Sequence, residues 1–158
     1  MSEKPRVLIL FGSDSDRAVM EEAARILESF GVASRMETAS AHRSPDRVRD
    51  LVREAPAQGI QLFIAGAGMA NHLAGAVAAH TTLPVIGVPL EGSALSGADS
   101  LLSTVQMPAG VPVATVAIGS AGAKNAAVLA VQILALSDRA LALKLEDLKL
   151  RLARGERL

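Results

Sequence analysis

Short apolar segments alternate with amphipathic segments along most of the chain, and this alternation limits the fold more than any other feature of the sequence. The first apolar segment, residues 7–11, is short, bounded and rich in residues that suit a strand buried on both faces. Apolar residues then recur at helical spacing from Asp16 until Gly31 ends the helix. Four further strands are predicted, each followed by a helix, at 32–38, 60–65, 84–88 and 111–118.

Strictly alternating strands and helices predict an α/β fold, a three-layer doubly wound parallel sheet with helices on both faces. About five strands and an extra C-terminal helix over residues 138–154 make this architecture flavodoxin-like. No linker, low-complexity segment or repeat divides the chain, so we expect residues 1–158 to form one α/β domain. The last helix could pack on its own domain or reach a neighbouring subunit, and the sequence leaves both possibilities open.

Charged residues are distributed very unevenly. Of the 32 charged residues, 19 lie in positions 1–54 and 11 in positions 124–158, which leaves only Glu91 and Asp99 in the 69 residues between them. This stretch does not predict a membrane span, because polar residues, Gly and Pro interrupt it often. A domain of 158 residues has too little core to hide it, so we expect a sizeable homo-oligomeric interface. An exposed surface rich in Ser, Thr and Gly is the alternative.

The composition excludes several kinds of partner and chemistry. Acidic and basic residues balance at 16 each and only Phe, at 3 residues, represents the aromatics, so we expect no nucleic-acid partner. Without cysteine there is no thiolate nucleophile and no Cys-based zinc site, and the 3 histidines are not clustered with carboxylates, so no metal site is predicted. The first apolar segment is too short for a secretory signal, and we therefore expect a cytoplasmic protein.

The loop after the first predicted strand suits a phosphate or a phosphosugar. Gly12 allows the backbone to turn, while the amides at the start of the helix and the hydroxyls of Ser13 and Ser15 can bind an anion. Asp14 and Asp16 would repel a phosphate but can accept hydrogen bonds from sugar hydroxyls, so one of them is expected to face a ribose. Plain capping of the helix by Ser15 or Asp16 is the alternative interpretation.

The loop after the second strand places a histidine beside an arginine. In Ser40-Ala41-His42-Arg43, the arginine can bind phosphate through two hydrogen bonds and the histidine can exchange protons near neutral pH. Both follow a strand that is expected to neighbour the first, so they should lie next to the first loop. Ser44 is predicted to cap the helix that begins at Pro45.

The loop after the third strand, residues 66–73, offers close approach of the backbone and little polar chemistry. Its Gly66-Ala67-Gly68 only partly resembles a dinucleotide-binding sequence, because Asn71 replaces the third glycine. His72 falls in the first turn of its helix, where the helix dipole disfavours a charged imidazole. It is expected to be either a neutral hydrogen-bonding partner for the site or a satisfied core histidine.

Several of these segments resemble the PurE family of purine biosynthesis. The similar segments run in order from about Val7 to Leu136 and include Gly-Ser-Asp-Ser-Asp, Ser-Ala-His-Arg-Ser-Pro-Asp, Ala-Gly-Ala-Gly, Leu-Pro-Val-Ile-Gly-Val-Pro, Ser-Ala-Leu-Ser-Gly-Ala-Asp-Ser-Leu and Val-Gln-Met-Pro-Ala-Gly-Val-Pro. The Ser-Ala-His-Arg form resembles the class I members, which are N5-carboxyaminoimidazole ribonucleotide mutases, whereas class II members typically carry Lys after the His.

The resemblance implies a mutase that removes carbon dioxide from the exocyclic nitrogen of its substrate and returns it to carbon 4 of the ring. It implies His42 as the proton carrier, His72 as the histidine of the third loop, and a homo-octamer with active sites near subunit contacts. No ATP, metal or organic cofactor is required. The expected substrate-binding residues are Gly12, Ser13, Ser15, Asp16, Ser40, Ala41, Arg43, Gly66, Ala67, Gly68 and Leu73.

The third loop departs from the family's usual Gly-Gly-Ala-Ala-His-Leu-Pro-Gly, because Met69 and Ala74 stand at positions of Gly and Pro. Three alternatives to the mutase remain. A class II carboxylase would use aminoimidazole ribonucleotide and carbon dioxide directly, with the same residue roles. A nucleotide- or flavin-binding module without catalysis is disfavoured by the lack of Trp and Tyr, and a non-catalytic assembly protein would not explain His42 beside Arg43.

Overall fold

Five parallel strands and the helices that flank them make up the computed structural model, which describes residues 4–158. The strands are β1 (Val7–Phe11), β2 (Ser34–Thr38), β3 (Leu62–Ala67), β4 (Val85–Pro89) and β5 (Ala114–Thr115). The helices are α1 (Arg17–Ser29), α2 (Pro45–Glu54), α3 (Leu73–Ala78), α4 (Ala98–Val105), α5 (Gly119–Ala135) and α6 (Arg139–Ala153). The assignment of all 158 residues to one domain stays a prediction, and residues 1–3 lie outside the described part.

The sheet has the strand order β2-β1-β3-β4-β5, and every neighbouring pair is parallel. This confirms the predicted doubly wound, flavodoxin-like α/β fold. The connections change direction between β1 and β3, which is where such sheets leave a crevice beyond the carboxyl ends of the strands. Because β1 lies between β2 and β3, the loops that follow these three strands meet at one edge.

Alternate residues of β1 point to opposite faces of the sheet, and both faces are covered. Val7, Ile9 and Phe11 pack in a cluster with α1, α5 and α6, whereas Leu8 and Leu10 pack with residues of α2 and α3. All five side chains are fully buried. Since full burial of such a side chain contributes about 1.5–3 kcal/mol, a shift of one residue along β1 would be very costly.

Helix α6 packs on its own chain, which is one of the two possibilities that the sequence left open. Leu141 and Leu148 are buried in the cluster that contains α1 and α5. Asp138 caps the helix by accepting from the backbone N–H of Leu141, and the Nζ atom of Lys144 donates to the carbonyl oxygen of Phe30 at 2.6 Å. The lysine thereby satisfies a carbonyl at the end of α1 and ties the two helices together.

Some predicted boundaries were wrong. The strand predicted over 111–118 shrinks to two residues, because only Ile86 and Gly87 of β4 pair with it and Pro112 has no N–H to donate. Helix α5 begins at Gly119 rather than at residue 124, and α3 spans Leu73–Ala78 rather than 71–80. No helix within residues 4–158 combines the length and the apolar composition that crossing a bilayer requires.

Candidate active site

A cavity of about 530 Å³ opens at the carboxyl edge of the sheet, between the loops that follow β1, β2 and β3. Gly92, in the loop that follows β4, completes the wall of the cavity. The cavity is lined by Gly12, Ser13, Ser15, Asp16, Ser40, Ala41, His42, Arg43, Ala67, Gly68, Met69, Ala70, Leu73 and Gly92.

All the residues predicted for the site line this cavity except Gly66 and His72. A side chain at Gly66 would point away from it, because a Cβ atom there would lie 2.4 Å from Sδ of Met20 in α1. Gly66 therefore serves the packing of α1 on β3, and its expected role in substrate binding stays a prediction. His72 does not line the cavity, but its Nδ1 atom contacts Nε2 of His42, which does.

The two histidines form a close pair although they are 30 residues apart in the chain. Nε2 of His42 lies 2.7 Å from Nδ1 of His72, and the rings are nearly perpendicular at 84°. At this distance one nitrogen carries a proton and the other accepts it. No other side-chain hydrogen bond engages either ring within the described residues, so Nδ1 of His42 and Nε2 of His72 stay available to other groups.

The pair can both give and take a proton at Nδ1 of His42. When Nε2 of His42 carries the shared proton and donates it to His72, the neutral His42 ring has a lone pair at Nδ1. When Nδ1 of His72 carries the shared proton instead, the neutral His42 ring has its own proton at Nδ1. Switching between the two arrangements therefore changes His42 from a base into an acid. The sequence indicated each histidine separately, and only the convergence of the β2 and β3 loops reveals that they act on each other.

Arg43 connects the second loop to the first. Its terminal nitrogen donates to the carbonyl oxygen of Gly12 at 3.0 Å, and its backbone N–H donates to the hydroxyl of Ser40 at 3.2 Å. The side chain is exposed and belongs to no ion pair among residues 4–158. A guanidinium held by neutral oxygens keeps its charge available to an anion in the cavity.

The loop after β1 begins with a short 3-10 turn, Asp14–Asp16, that precedes α1. Ser13 caps this turn, accepting from both the backbone N–H and the hydroxyl of Ser15 at 3.4 and 3.0 Å. Asp16 stands at the N-cap position of α1 but caps it with no side-chain hydrogen bond. Capping by Asp16 was thus wrong, and its carboxylate is turned to the cavity instead.

Partial burial raises the pKa of Asp16 above its ordinary value of 3.8, while a hydrogen bond from the backbone of Ser13 and the charge of Arg43 act in the opposite direction. Asp16 lines the cavity, and its carboxylate can accept hydrogen bonds from ligand hydroxyls. Ser44 begins α2 as predicted, but its hydroxyl does not cap the helix. It bonds to the backbone of Ser40 instead, donating to the carbonyl at 3.2 Å and accepting from the N–H at 3.1 Å.

Met69, Ala70 and Gly92 line the cavity and were not among the predicted site residues. Met69 has a φ of 56°, in the left-handed region that favours glycine, and its side chain is 62% exposed. The sequence feature that could have indicated Met69 was its position, at which the family usually has glycine. Ala74, the other departure noted, is fully buried in α3 and does not line the cavity.

Asn71 anchors the third loop from beneath. Its side chain is fully buried, and its Nδ2 atom donates to the hydroxyl of Thr104 at 2.9 Å and to the carbonyl of Val88 at 3.3 Å. Its backbone N–H donates to the hydroxyl of Ser103 at 2.9 Å. These bonds fix the residue that directly precedes His72 to β4 and α4.

Nowhere within residues 4–158 do three His, Asp or Glu side chains cluster as metal ligands would.

Comparisons with known proteins agree on one family. A family model described as AIR carboxylase matches residues 6–154. The chain is 59% identical over 133 residues to the N5-carboxyaminoimidazole ribonucleotide mutase of Pyrococcus horikoshii, covering 84% of this chain and 74% of that protein. It is 54% identical over 142 residues to the enzyme of the same name from Escherichia coli, covering 90% of this chain and 84% of the relative. The Bacillus subtilis enzyme of this name is 53% identical over 144 residues, which cover 91% and 89%.

The fold is also similar to a solved structure of this kind. The crystal structure of Treponema denticola PurE matches with a TM-score of 0.87 and 32% sequence identity, covering 96% of this chain and 93% of that chain. The similarity thus extends from the strand order to nearly the whole length of both proteins.

Proposed function

The chain belongs to the AIR carboxylase family, and on this premise we propose that it is an isomerase of purine biosynthesis that converts N5-carboxyaminoimidazole ribonucleotide into 4-carboxy-5-aminoimidazole ribonucleotide. The relatives that are named as mutases support this reaction. The observation that carries the proposal is the 2.7 Å contact of His42 with His72 beside the free cation of Arg43, on a cavity large enough for a nucleotide.

The reaction needs one proton to be delivered and one to be removed. The carbon–nitrogen bond of the carbamate breaks, carbon dioxide leaves, and the exocyclic nitrogen takes a proton from Nδ1 of His42. Carbon 4 of the ring then attacks carbon dioxide, and the proton on carbon 4 returns to His42. The two transfers cancel, so the histidine ends in its starting state without any external acid or base.

His72 acts as the partner that lets His42 change roles. It accepts or donates at the far nitrogen of His42 while the near nitrogen exchanges a proton with the substrate. Because His72 does not line the cavity, it supports His42 without itself contacting the substrate.

The polar end of the cavity binds the phosphorylated ribose. Arg43 pairs with the phosphate, and the hydroxyls of Ser13 and Ser15 donate to it. Asp16 accepts from ribose hydroxyls, which replaces the water that burial has removed from its carboxylate. The backbone of Gly12, Ser40, Ala41, Ala67 and Gly68 and the side chain of Leu73 shape the remaining wall. The scheme uses no ATP, metal or organic cofactor.

The assembly is a homo-octamer located in the cytoplasm. His42, Arg43 and His72 are exposed in the single chain, yet transfer of carbon dioxide requires a chamber from which water is excluded. Exposed apolar side chains stand nearby on α4 and in the loop before it: Leu95 is 63% exposed and Leu102 62%. They belong to the stretch with only two charges and offer the surface on which other copies of the chain pack.

An assay with purified protein tests the function. We expect N5-carboxyaminoimidazole ribonucleotide to be converted without ATP, at a rate comparable to that of the Escherichia coli relative measured in parallel. The description of the family as AIR carboxylase favours direct carboxylation as a second candidate. Product formation from aminoimidazole ribonucleotide plus bicarbonate at a comparable rate, with no conversion of the carbamate, would replace the mutase by that carboxylase.

A further inference from the structure

Met69 places an apolar side chain at the exposed edge of the cavity, on a backbone that would suit glycine better. Its φ of 56° costs free energy for any residue with a Cβ atom, and its side chain is 62% exposed while lining the cavity. In the single chain, this exposed apolar side chain contributes little burial to the fold, and its backbone conformation is strained. Such a combination at a reactive cavity indicates a role in the reaction.

The strained conformation is imposed by the neighbours of Met69. A Cβ atom on Gly68 would lie only 3.2 Å from the carbonyl oxygen of Glu91, so the chain runs tightly against the loop that follows β4. Asn71, two residues later, is fixed by its bonds to Thr104 and Ser103. With both sides of residue 69 held, its backbone direction is set.

The wall next to Met69 is apolar and small. Ala67, Ala70 and Leu73 line this part of the cavity, whereas the charged and hydroxyl groups belong to the loops after β1 and β2. Carbon dioxide carries no net charge and has no hydrogen to donate, its oxygens are weak acceptors, and the side chains of this wall offer no donor. Between the breaking of its bond to nitrogen and the forming of its bond to carbon 4, only a physical barrier keeps it in place.

We propose that Met69 closes the apolar end of the cavity during the reaction and retains the carbon dioxide that the substrate releases. This inference rests on the proposed function. It adds a residue that determines which fraction of the released carbon dioxide reacts with carbon 4 and which fraction leaves the cavity. Three rotatable bonds and a polarisable thioether allow the side chain to fold over a ligand of irregular shape. The glycine usual in the family would adopt the same φ without strain but would supply no cover.

Isotope exchange tests the inference. The wild-type protein converts unlabelled N5-carboxyaminoimidazole ribonucleotide in the presence of ¹³C-bicarbonate, and the label in the product and the aminoimidazole ribonucleotide released are measured per turnover, corrected for the enzyme-free rate. The variants are Met69→Gly, which removes side chain and strain, Met69→Ala, which removes the side chain and keeps the strain, and Met69→Leu, which keeps an apolar cover. Leu136→Ala removes an 89% exposed apolar side chain at the opposite edge of the sheet and serves as the control.

We expect labelling and release to rise several-fold in both Met69→Gly and Met69→Ala, with little change in KM, and to stay near wild type in Met69→Leu and Leu136→Ala. Unchanged labelling in Met69→Gly and Met69→Ala overturns the inference. A rise in Met69→Gly alone also overturns it, because the backbone conformation rather than the side chain would then control escape. A wild-type protein that does not convert the substrate at all would instead refute the proposed function.

Discussion

Nε2 of His42 lies 2.7 Å from Nδ1 of His72, and this contact joins the loop after β2 to the end of the loop after β3. The two loops are brought together because β1 separates their strands and all three strands end at one edge. Depending on which of the two rings carries the shared proton, Nδ1 of His42 can act as an acid or as a base.

Replacing His42 by Asn removes proton exchange with the substrate and keeps a polar side chain of similar reach. We expect kcat to fall by about 10²–10⁴-fold while the affinity for the nucleotide changes little. Turnover and equilibrium binding of the product are the measurements. His80→Asn is the matched control, since this exposed histidine lies at the end of α3 and outside the cavity. Near-normal turnover of His42→Asn would remove His42 from the mechanism.

Replacing Arg43 by Ala removes the cation of the polar end. Hydrogen bonds to charged groups contribute about 1.5–3 kcal/mol, so we expect KM to rise about 10- to 100-fold with a smaller effect on kcat. Arg43→Lys should restore part of the affinity because it keeps the charge but not the paired geometry. Arg47→Ala is the control, because that side chain pairs with Glu37 and does not line the cavity. An unchanged KM would exclude the phosphate role.

Replacing Asn71 by Ala removes the buried amide that ties the third loop to Thr104 and Val88. We expect a loss of about 1–3 kcal/mol in the free energy of unfolding. A double-mutant cycle with Thr104→Val should give a coupling of about 0.5–3 kcal/mol, because the two side chains contact each other directly. Denaturant unfolding of the four proteins provides these energies, and strictly additive effects would contradict the anchoring role.

Replacing Asp138 by Asn keeps a capping residue at the start of α6 but removes the ion pair with Arg6 at 2.9 Å. The side-chain hydrogen bond from Arg6 lowers the pKa of Asp138 from its ordinary value of 3.8, so this carboxylate stabilises the fold above that pH. We expect the variant to unfold at a lower temperature than wild type at pH 7, with the difference shrinking as the pH falls through the lowered pKa. A difference that does not depend on pH would exclude the ion pair as the cause. Asp147→Asn, on the exposed side of α6, should change the unfolding temperature little at either pH.

Replacing Leu102 by Glu introduces a charge on the exposed face of α4. If this face packs on other copies of the chain, burying an unpaired carboxylate there should split the assembly into smaller particles. Light scattering measures the mass of the particles, and Leu136→Glu, with an even more exposed side chain, is the control. A wild-type protein that is monomeric, or a Leu102→Glu variant of unchanged mass, would contradict the interface.

The order of strands and helices was predictable because it depends on local patterns that each segment carries by itself. The run of five apolar residues in β1 and the helical spacing of apolar residues in α1 require no knowledge of distant contacts. Strand β5 was predicted too long for the complementary reason. Its residues are apolar enough for a longer strand, but only Ala114 and Thr115 pair with β4, and the extent of that pairing depends on a distant segment as well as on Pro112.

The amino-acid sequence by itself determined the doubly wound fold, the three loops at one edge and the presence of His42, Arg43, Ser13 and Asp16 among the residues that line the cavity. The alternation of strands, loops and helices along the chain follows from periodicity, which is a property of neighbours in the chain. Only the tertiary structure decided that His42 contacts His72, that Gly66 faces α1 instead of the cavity, and that Asn71 holds the third loop. These relations depend on the direction of side chains from elements far apart in the sequence, and packing alone sets that direction.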